Sequence, residues 1–277
     1  MFEFLFKKAE ADNSQKESVQ VSYLEDFSEF FHYIEKSLGI GSLFEKSIVK
    51  SKLQRVAKKY KIETNREFIE HFSKKGDLYS EVIDAVTVNE TYFFRELDTL
   101  EWVVSQIQKS SKSHRILSIP SSKGAEIYSL YILLMQKAPQ SILQQHFMGI
   151  DIDKEALKQA KRGIFSEHEL HRLESELKCR YFQKEDLGYQ IIDSIRLNVD
   201  FAEDNILSLT SGKYGYFDIV LCRNLFIYFE DQYILEALKH LHQIVADDGY
   251  LVLGVADRMV EQHYFKKVNN FIYQKQN

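Results

Sequence analysis

The stretch "HRILSIPSSKGAEIYSLYILLMQKA", residues 114–138, decides how the chain is read. A short apolar run, with Ile116, Leu117 and Ile119, leads into a turn containing Gly124 and then into a long helical segment. The unit recurs. "HFMGID" (146–151) precedes the helical "KEALKQAKRGIF", and "YFDIVLCRN" (216–224) precedes "QYILEALKHLHQIV". After the turn "DDG" comes "YLVLGV" (250–255), and "YFKKVNNFIYQK" (264–275) reads as a closing hairpin. Strands that are apolar on both faces and alternate with helices imply a parallel sheet covered on both sides. The predicted fold is α/β, an open, doubly wound, mostly parallel sheet with the hairpin as an antiparallel edge.

Upstream, residues 21–88 carry helical periodicity. Phe27, Phe30, Phe31, Ile34 and Leu38 recur at three- and four-residue steps, as do Ile48, Leu53 and Val56 in the next segment. The opposite face of that second segment is basic, with Lys50, Lys52, Arg55, Lys58, Lys59 and Lys61. The expected organisation is a flexible tail over 1–20, an all-helical domain over 21–88 and a linker over 89–100. The sheet domain follows over 101–277, with "CRYFQKEDLGYQIIDSIRLNVDF" forming a small inserted β-subdomain at about 178–200.

Composition narrows the function classes. The chain has 277 residues, 44% hydrophobic and 28% charged, with a net charge of -5, so the whole protein is not built to seek polyanions. Cys179 and Cys222 cannot make a disulfide framework or a zinc site alone. No metal site and no nucleic-acid module is expected. No apolar run approaches a membrane span, and Lys7 and Lys8 follow rather than precede the first apolar residues, unlike a signal peptide. The expectation is a cytoplasmic monomer without membrane insertion.

In such a sheet the ligand sits beyond the carboxyl ends of the strands. Gly124 allows close approach of the backbone, and Glu126 falls in the first turn of the helix after the first strand. A dinucleotide site would carry G-x-G-x-x-G and no acid facing the pyrophosphate, whereas Glu126 repels phosphate there. Asp151 ends the second strand, placed to accept hydrogen bonds from ribose hydroxyls. A ribose and a cationic group without phosphate describe S-adenosylmethionine better than NAD or ATP. Taken singly, Gly124 is a turn residue and Asp151 a helix cap; their placement at adjacent strand ends is what points to a ligand.

Five blocks in order resemble one family. "TVNETYFFRE" is similar to a family segment of Asn-x-Thr-x-Phe-Phe-Arg-Glu form, and "SIPSSKGAEIYS" to a Ser/Thr-Gly-Glu-Glu-Pro-Tyr-Ser loop. "GIDIDKEALKQAKRGIF", "CRNLFIYFE" and "DDGYLVLG" match its later blocks. The chain resembles the chemotaxis-receptor methyltransferases of the CheR type, which transfer a methyl group from S-adenosylmethionine to receptor glutamates. The resemblance implies cofactor contacts from Asn89, Thr91 and Arg95 in the linker, Glu126 on the methionine amino group and Asp151 on the ribose. It places Asn205 and Ile206 near the adenine, has Arg223 and Asn224 closing the site, and sets Tyr228 by the methyl group. It also implies that the helix bearing Lys50, Lys52, Arg55, Lys58 and Lys59 faces the receptor, an acidic helical methylation region. Residues 178–200 correspond to the family's receptor-tail binding subdomain. The chain departs from the pattern at Ala125 and Ile127, at Ile119 and Pro120, and in "VADR" (255–258) where the family often has His-Ser-Glu.

Methyl transfer from a sulfonium is an in-line displacement, and a glutamate is already ionised at neutral pH, so no general base is needed. The difficulty is a carboxylate held in a partly dry pocket. In "NETYFFRE" (89–96), Arg95 is expected to supply the balancing charge beside the reacting centre, with Tyr228 orienting the carboxylate. Phe93 or Phe94 is expected to pack the helical domain onto the sheet, with Tyr92 lining the pocket. Alternative readings are a non-catalytic S-adenosylmethionine-binding signalling or scaffold protein, and a methyltransferase for another carboxylate.

Overall fold

The computed structural model describes residues 23–41, 47–87 and 90–276. The expected tail and Asn89 lie outside the described residues. Four helices come first: α1 (Ser28–Leu38), α2 (Ser47–Tyr60), α3 (Asn65–Ser73) and α4 (Asp77–Val86). The α1 stripe buries Phe30, Ile34 and Leu38, and the Phe30 ring meets Phe68 edge-on at 4.3 Å. In α2 the buried stripe is Val49, Leu53, Val56 and Ala57. Ile48, expected to point inward, is 63% exposed. Each residue turns a helix by about 100°, so a stripe that starts at Val49 carries Ile48 off the buried side.

The sheet domain begins with α5 (Leu97–Gln108), β1 (Arg115–Ser118), α6 (Ala125–Lys137), β2 (His146–Asp151), α7 (Lys154–Arg162) and β3 (Ile164–Phe165). It continues through α8 (Ser175–Tyr181), β4 (Phe182–Glu185), β5 (Gly188–Ile191), α9 (Asp193–Arg196), β6 (Val199–Glu203) and α10 (Ser211–Tyr214). β7 (Phe217–Cys222), α11 (Asp231–Ile244), β8 (Val245–Leu253), β9 (Phe265–Asn269) and β10 (Ile272–Lys275) complete it. The main sheet has seven strands in the order β6-β2-β1-β7-β8-β10-β9. β6, β2, β1, β7 and β8 run parallel, and β10 pairs antiparallel with both β8 and β9. Strand order reverses between β1 and β7, so the crevice lies outside their carboxyl ends.

The two-residue period of the strands sorts side chains into two cores. Ile116, Ile219 and Leu221 join one core with α5 and α6. Leu117, Val220 and Cys222 join the other with α11 and the four N-terminal helices. This sorting corrects the expectation for Phe93 and Phe94, which sit in the α5–α6 core and not against the N-terminal helices. Phe93 packs edge-on between Phe165 and Phe182 at 4.8 and 5.1 Å, residues of the small sheet β3-β5-β4. The helical lobe instead meets the sheet domain through Asn205, whose Nδ2 donates to the Ser37 carbonyl at 2.8 Å, and through Phe229. Gly39, at φ 74, lies under the Phe229 ring, where an added Cβ would stand 2.9 Å from the nearest ring atom.

Two sheet boundaries differ from the sequence reading. Val199–Glu203, assigned in part to the insertion, is the edge strand of the main sheet beside β2, and the small sheet draws on Ile164–Phe165 further upstream. β8 starts at Val245, ahead of "DDG"; its register with β7 shifts there, with Asp248 at φ 63.

Candidate active site

The end of β1 supplies Ser118, and Gly124 at φ 85 turns the chain into α6. An added Cβ at Gly124 would meet the Phe201 and Tyr128 rings at 3.0 Å, so protein packing as well as backbone conformation requires glycine there. Glu126 follows in the first helical turn. Ser118 Oγ donates to its Oε1 at 2.7 Å and Arg223 Nη1 to its Oε2 at 2.6 Å. Ala125 and Ile127, where the chain departs from the family pattern, are buried in the core beside α5, away from the crevice.

Asp151 ends β2 and is buried. Its Oδ2 accepts the Ser122 N–H at 2.6 Å and its Oδ1 the Asp153 N–H at 2.9 Å. Complete burial pushes its carboxyl up to about 6, against the lowering effect of these N–H bonds. Capping of α7 falls to Asp153, which accepts from the N–H groups of Glu155 and Ala156. Asp151 is therefore tied to the loop after β1, joining the two strand ends.

β7 delivers Arg223 and Asn224. Arg223, expected to close the site from the end of this strand, has a side chain 2% exposed and forms the crevice floor, held by Glu126, by Glu96 at 3.0 Å and by the Arg95 carbonyl at 2.7 Å. Burial of a guanidinium demands such partners. Asn224, at φ 59, donates through Nδ2 to Glu96 and through its N–H to Asp257. Asp257 also accepts the N–H groups of Gly254 and Phe226, locking the turn that leads to Tyr228.

The linker closes the other wall. Arg95 Nη1 donates to the Glu90 carbonyl at 3.1 Å, and its guanidinium lies 5.7 Å from the Tyr92 ring centre. Thr91, Arg95, Glu126, Arg223, Asn224 and Tyr228 line one crevice, completed by Glu90, Tyr92 and Pro120–Ser122. Burial raises the Tyr228 phenol while Arg95 pulls it down, the net effect being upward, so the hydroxyl stays protonated at neutral pH.

Other candidate residues stand apart. Asn205 lines a neighbouring cleft with Ile152, Glu203 and Ser37, and its Oδ1 accepts the Leu207 N–H. Ile206 is buried in the core, and Asn89 is outside the described residues. On α2, Lys50, Arg55, Lys58 and Lys59 are exposed and Lys52 is half-buried. Lys52 donates to the Asp84 carbonyl and Lys59 pairs with Glu81, both across to α4. Ser118, Glu96 and Asp257 were missed. The capital signal for Glu96 was its place in "NETYFFRE", directly after Arg95.

The model of the CheR methyltransferase SAM-binding domain matches residues 89–273, most of the chain. The chain belongs to the CheR methyltransferase family. Among its CheR relatives is a chemotaxis protein methyltransferase of Campylobacter jejuni subsp. jejuni serotype O:23/36, 33% identical over 244 residues, covering 88% of this chain and 92% of that one. Chemotaxis protein methyltransferase 2 of Vibrio cholerae is 33% identical over 250 residues, covering 84% and 85%. Among solved structures, PKMT2 from Rickettsia typhi in complex with AdoHcy aligns with a TM-score of 0.35 at 13% identity, over 56% of this chain and 24% of that one. As in the CheR family, the cofactor is S-adenosylmethionine. The donor set fits it. Glu126, in the first turn of α6, lines the crevice, and Asp151, at the end of the adjacent strand, stands behind it, bonded to the N–H of the crevice-lining Ser122; each has lone pairs beyond those already bonded. The acid at the start of α6 suits a cation and not a phosphate.

Proposed function

We propose that the chain is a protein-glutamate O-methyltransferase that forms methyl esters on chemoreceptors or related sensory proteins. The observation that carries this reading is that Arg95 and Tyr228 share one crevice with Glu126. S-adenosylmethionine, when bound, supplies a methyl group on a positively charged sulfur, open to in-line displacement. Glu126 is assigned to its amino group and Asp151 to its ribose. Thr91 and Asn224 hold it from opposite walls, Gly124 shapes the loop beneath it, and Asn89, Asn205 and Ile206 keep the roles that the family resemblance implies. Arg223 acts from below, through Glu126.

Arg95 offsets the charge of an incoming glutamate as water leaves it, and its planar fork can bond both oxygens. Tyr228, a phenol at neutral pH, donates a hydrogen bond that orients the attacking carboxylate. A carboxylate oxygen would bond to the methyl carbon as the carbon–sulfur bond breaks, the electron pair of that bond leaving with the sulfur of neutral S-adenosylhomocysteine. No proton moves, and the chain accordingly needs no general base at the crevice.

The substrate assignment is supported by the names of the relatives, which are chemotaxis protein methyltransferases. Lys50, Arg55 and Lys58 present positive charge outward from α2, suited to an acidic helical partner. Among the described residues no helix is long and apolar enough to cross a membrane. The test is transfer of labelled methyl to membranes that contain receptors. The expected result is label that alkali releases as methanol. Label stable to alkali, or no transfer, would reject ester formation.

A further inference from the structure

Glu96 has no task in the chemistry proposed above. It stands at φ 53 immediately before α5, and its carboxylate reaches back under the crevice. Oε2 lies 3.0 Å from Arg223 Nη2 and accepts the Val255 N–H at 3.0 Å; Oε1 accepts from Asn224 Nδ2 at 3.2 Å. The other arm of Arg223 donates to Glu126 at 2.6 Å. One guanidinium is thus clamped between two carboxylates, with side chains 17% and 15% exposed, in a region where charges are weakly screened.

The charge sum decides what this arrangement is for. Among the charged side chains bonded to one another here, which Arg95 joins only through its carbonyl while its guanidinium is held at the Glu90 carbonyl and the Tyr92 ring, Glu126 carries −1 and Arg223 +1, and the amino end of α6 contributes about +0.5. Without Glu96 the sum is about +0.5, which repels an ammonium group. With Glu96 ionised it becomes about −0.5, which attracts one. The positive end of α5, beside Glu96, is offset by Asp98 in its own first turn. Burial would raise the Glu96 carboxyl, but the Arg223 charge and the bonds from Asn224, Arg223 and Val255 outweigh it and hold it below the usual range.

We propose that Glu96 is a positioning residue that cancels the charge of Arg223, so that Glu126 offers net negative charge to a cationic amine in the crevice. The inference rests on the reading of Glu126 as the contact for the cofactor's amino group. It explains why a buried cation can lie under a site that must hold another cation.

The test is calorimetric binding of two ligands to the full chain: S-adenosylhomocysteine, and its analogue with the amino group replaced by hydrogen. The ratio of their affinities measures selectivity for the amine. In Glu96→Gln that ratio is expected to fall about tenfold, the loss of one charge-assisted contact. Affinity for the analogue is expected to stay within about twofold. The double variant Glu96→Gln/Arg223→Met removes both charges, returns the sum to about −0.5, and is expected to restore the ratio. An unchanged ratio in Glu96→Gln, or equal losses for both ligands, overturns the inference. Should Glu96→Gln lose its fold by circular dichroism, the double variant decides: a ratio near wild type supports the inference, and one about tenfold lower overturns it. A wild-type chain that does not prefer the amine overturns the Glu126 reading and this inference with it. A wild type that prefers it, with the preference intact in Glu96→Gln, overturns this inference alone.

Discussion

Arg223 donates through Nη2 to the main-chain carbonyl of Arg95 at 2.7 Å, so the cation under the crevice grips the backbone of the cation beside it. The end of β7 thereby sets where the linker runs. The side chain of Arg95 is left to face the crevice, braced by the Glu90 carbonyl and the Tyr92 ring.

If Arg95 balances the incoming carboxylate, Arg95→Ala should lower the rate of methyl transfer by about 10²–10³, the range for removing one aimed electrostatic donor. Stability should change by no more than about 0.5 kcal/mol, because the side chain is partly exposed. Labelled transfer and urea unfolding on the same preparation check both. Equal rates would remove the assigned role.

Asp151 ties the pH dependence to a single group. Its carboxyl is raised from 3.8 to about 6, so between those values the folded chain holds a proton that the unfolded chain has released. This group's contribution to stability is full below the lower value and is lost as pH climbs through the upper one, a change of about 3 kcal/mol. Ribose hydroxyls donate to the ionised form, so affinity for S-adenosylhomocysteine should rise with pH through about 6. Calorimetry in buffers of different ionisation enthalpy should detect proton release on binding there. Asp151→Asn should bind weakly at every pH and show no such release.

Reversing the outward charge of α2 should act on the substrate alone. Arg55→Glu with Lys58→Glu is expected to raise KM for receptor membranes several-fold, with the deficit shrinking as salt is added. The calorimetric affinity for S-adenosylhomocysteine should stay at its wild-type value, since both side chains lie on the helical lobe and outside the crevice. A KM equal to wild type would detach this helix from recognition.

Phe93 offers a test of the packing. Its fully buried ring sits between Phe165 and Phe182, and Phe93→Ala should cost about 3–5 kcal/mol in urea unfolding. A cost below about 1 kcal/mol would mean that the ring is not a core residue.

What could be read from sequence followed the reach of the forces involved. β1, β2 and β7 were legible because strands buried on both faces are continuous apolar runs. β6 was not, because an edge strand such as "VDFAE" is only partly covered and keeps polar residues. Glu126 and Asp151 were legible as candidates because the fold itself puts strand ends together. The grip of Arg223 on Glu126 spans 97 residues and that of Asn205 on Ser37 spans 168, and no local pattern announces such pairs. For the same reason Phe93 was referred to the wrong core: its partners Phe165 and Phe182 come from the small sheet, whose pairing depends on residues far along the chain.

The most direct test is a crystal structure of the chain with S-adenosylhomocysteine. The ligand amine is expected at about 3 Å from the Glu126 carboxylate, with the ribose hydroxyls on Asp151 and the sulfur facing Arg95 and Tyr228. A ligand bound elsewhere, or bound here with its amine turned away from Glu126 and its ribose away from Asp151, would contradict the account.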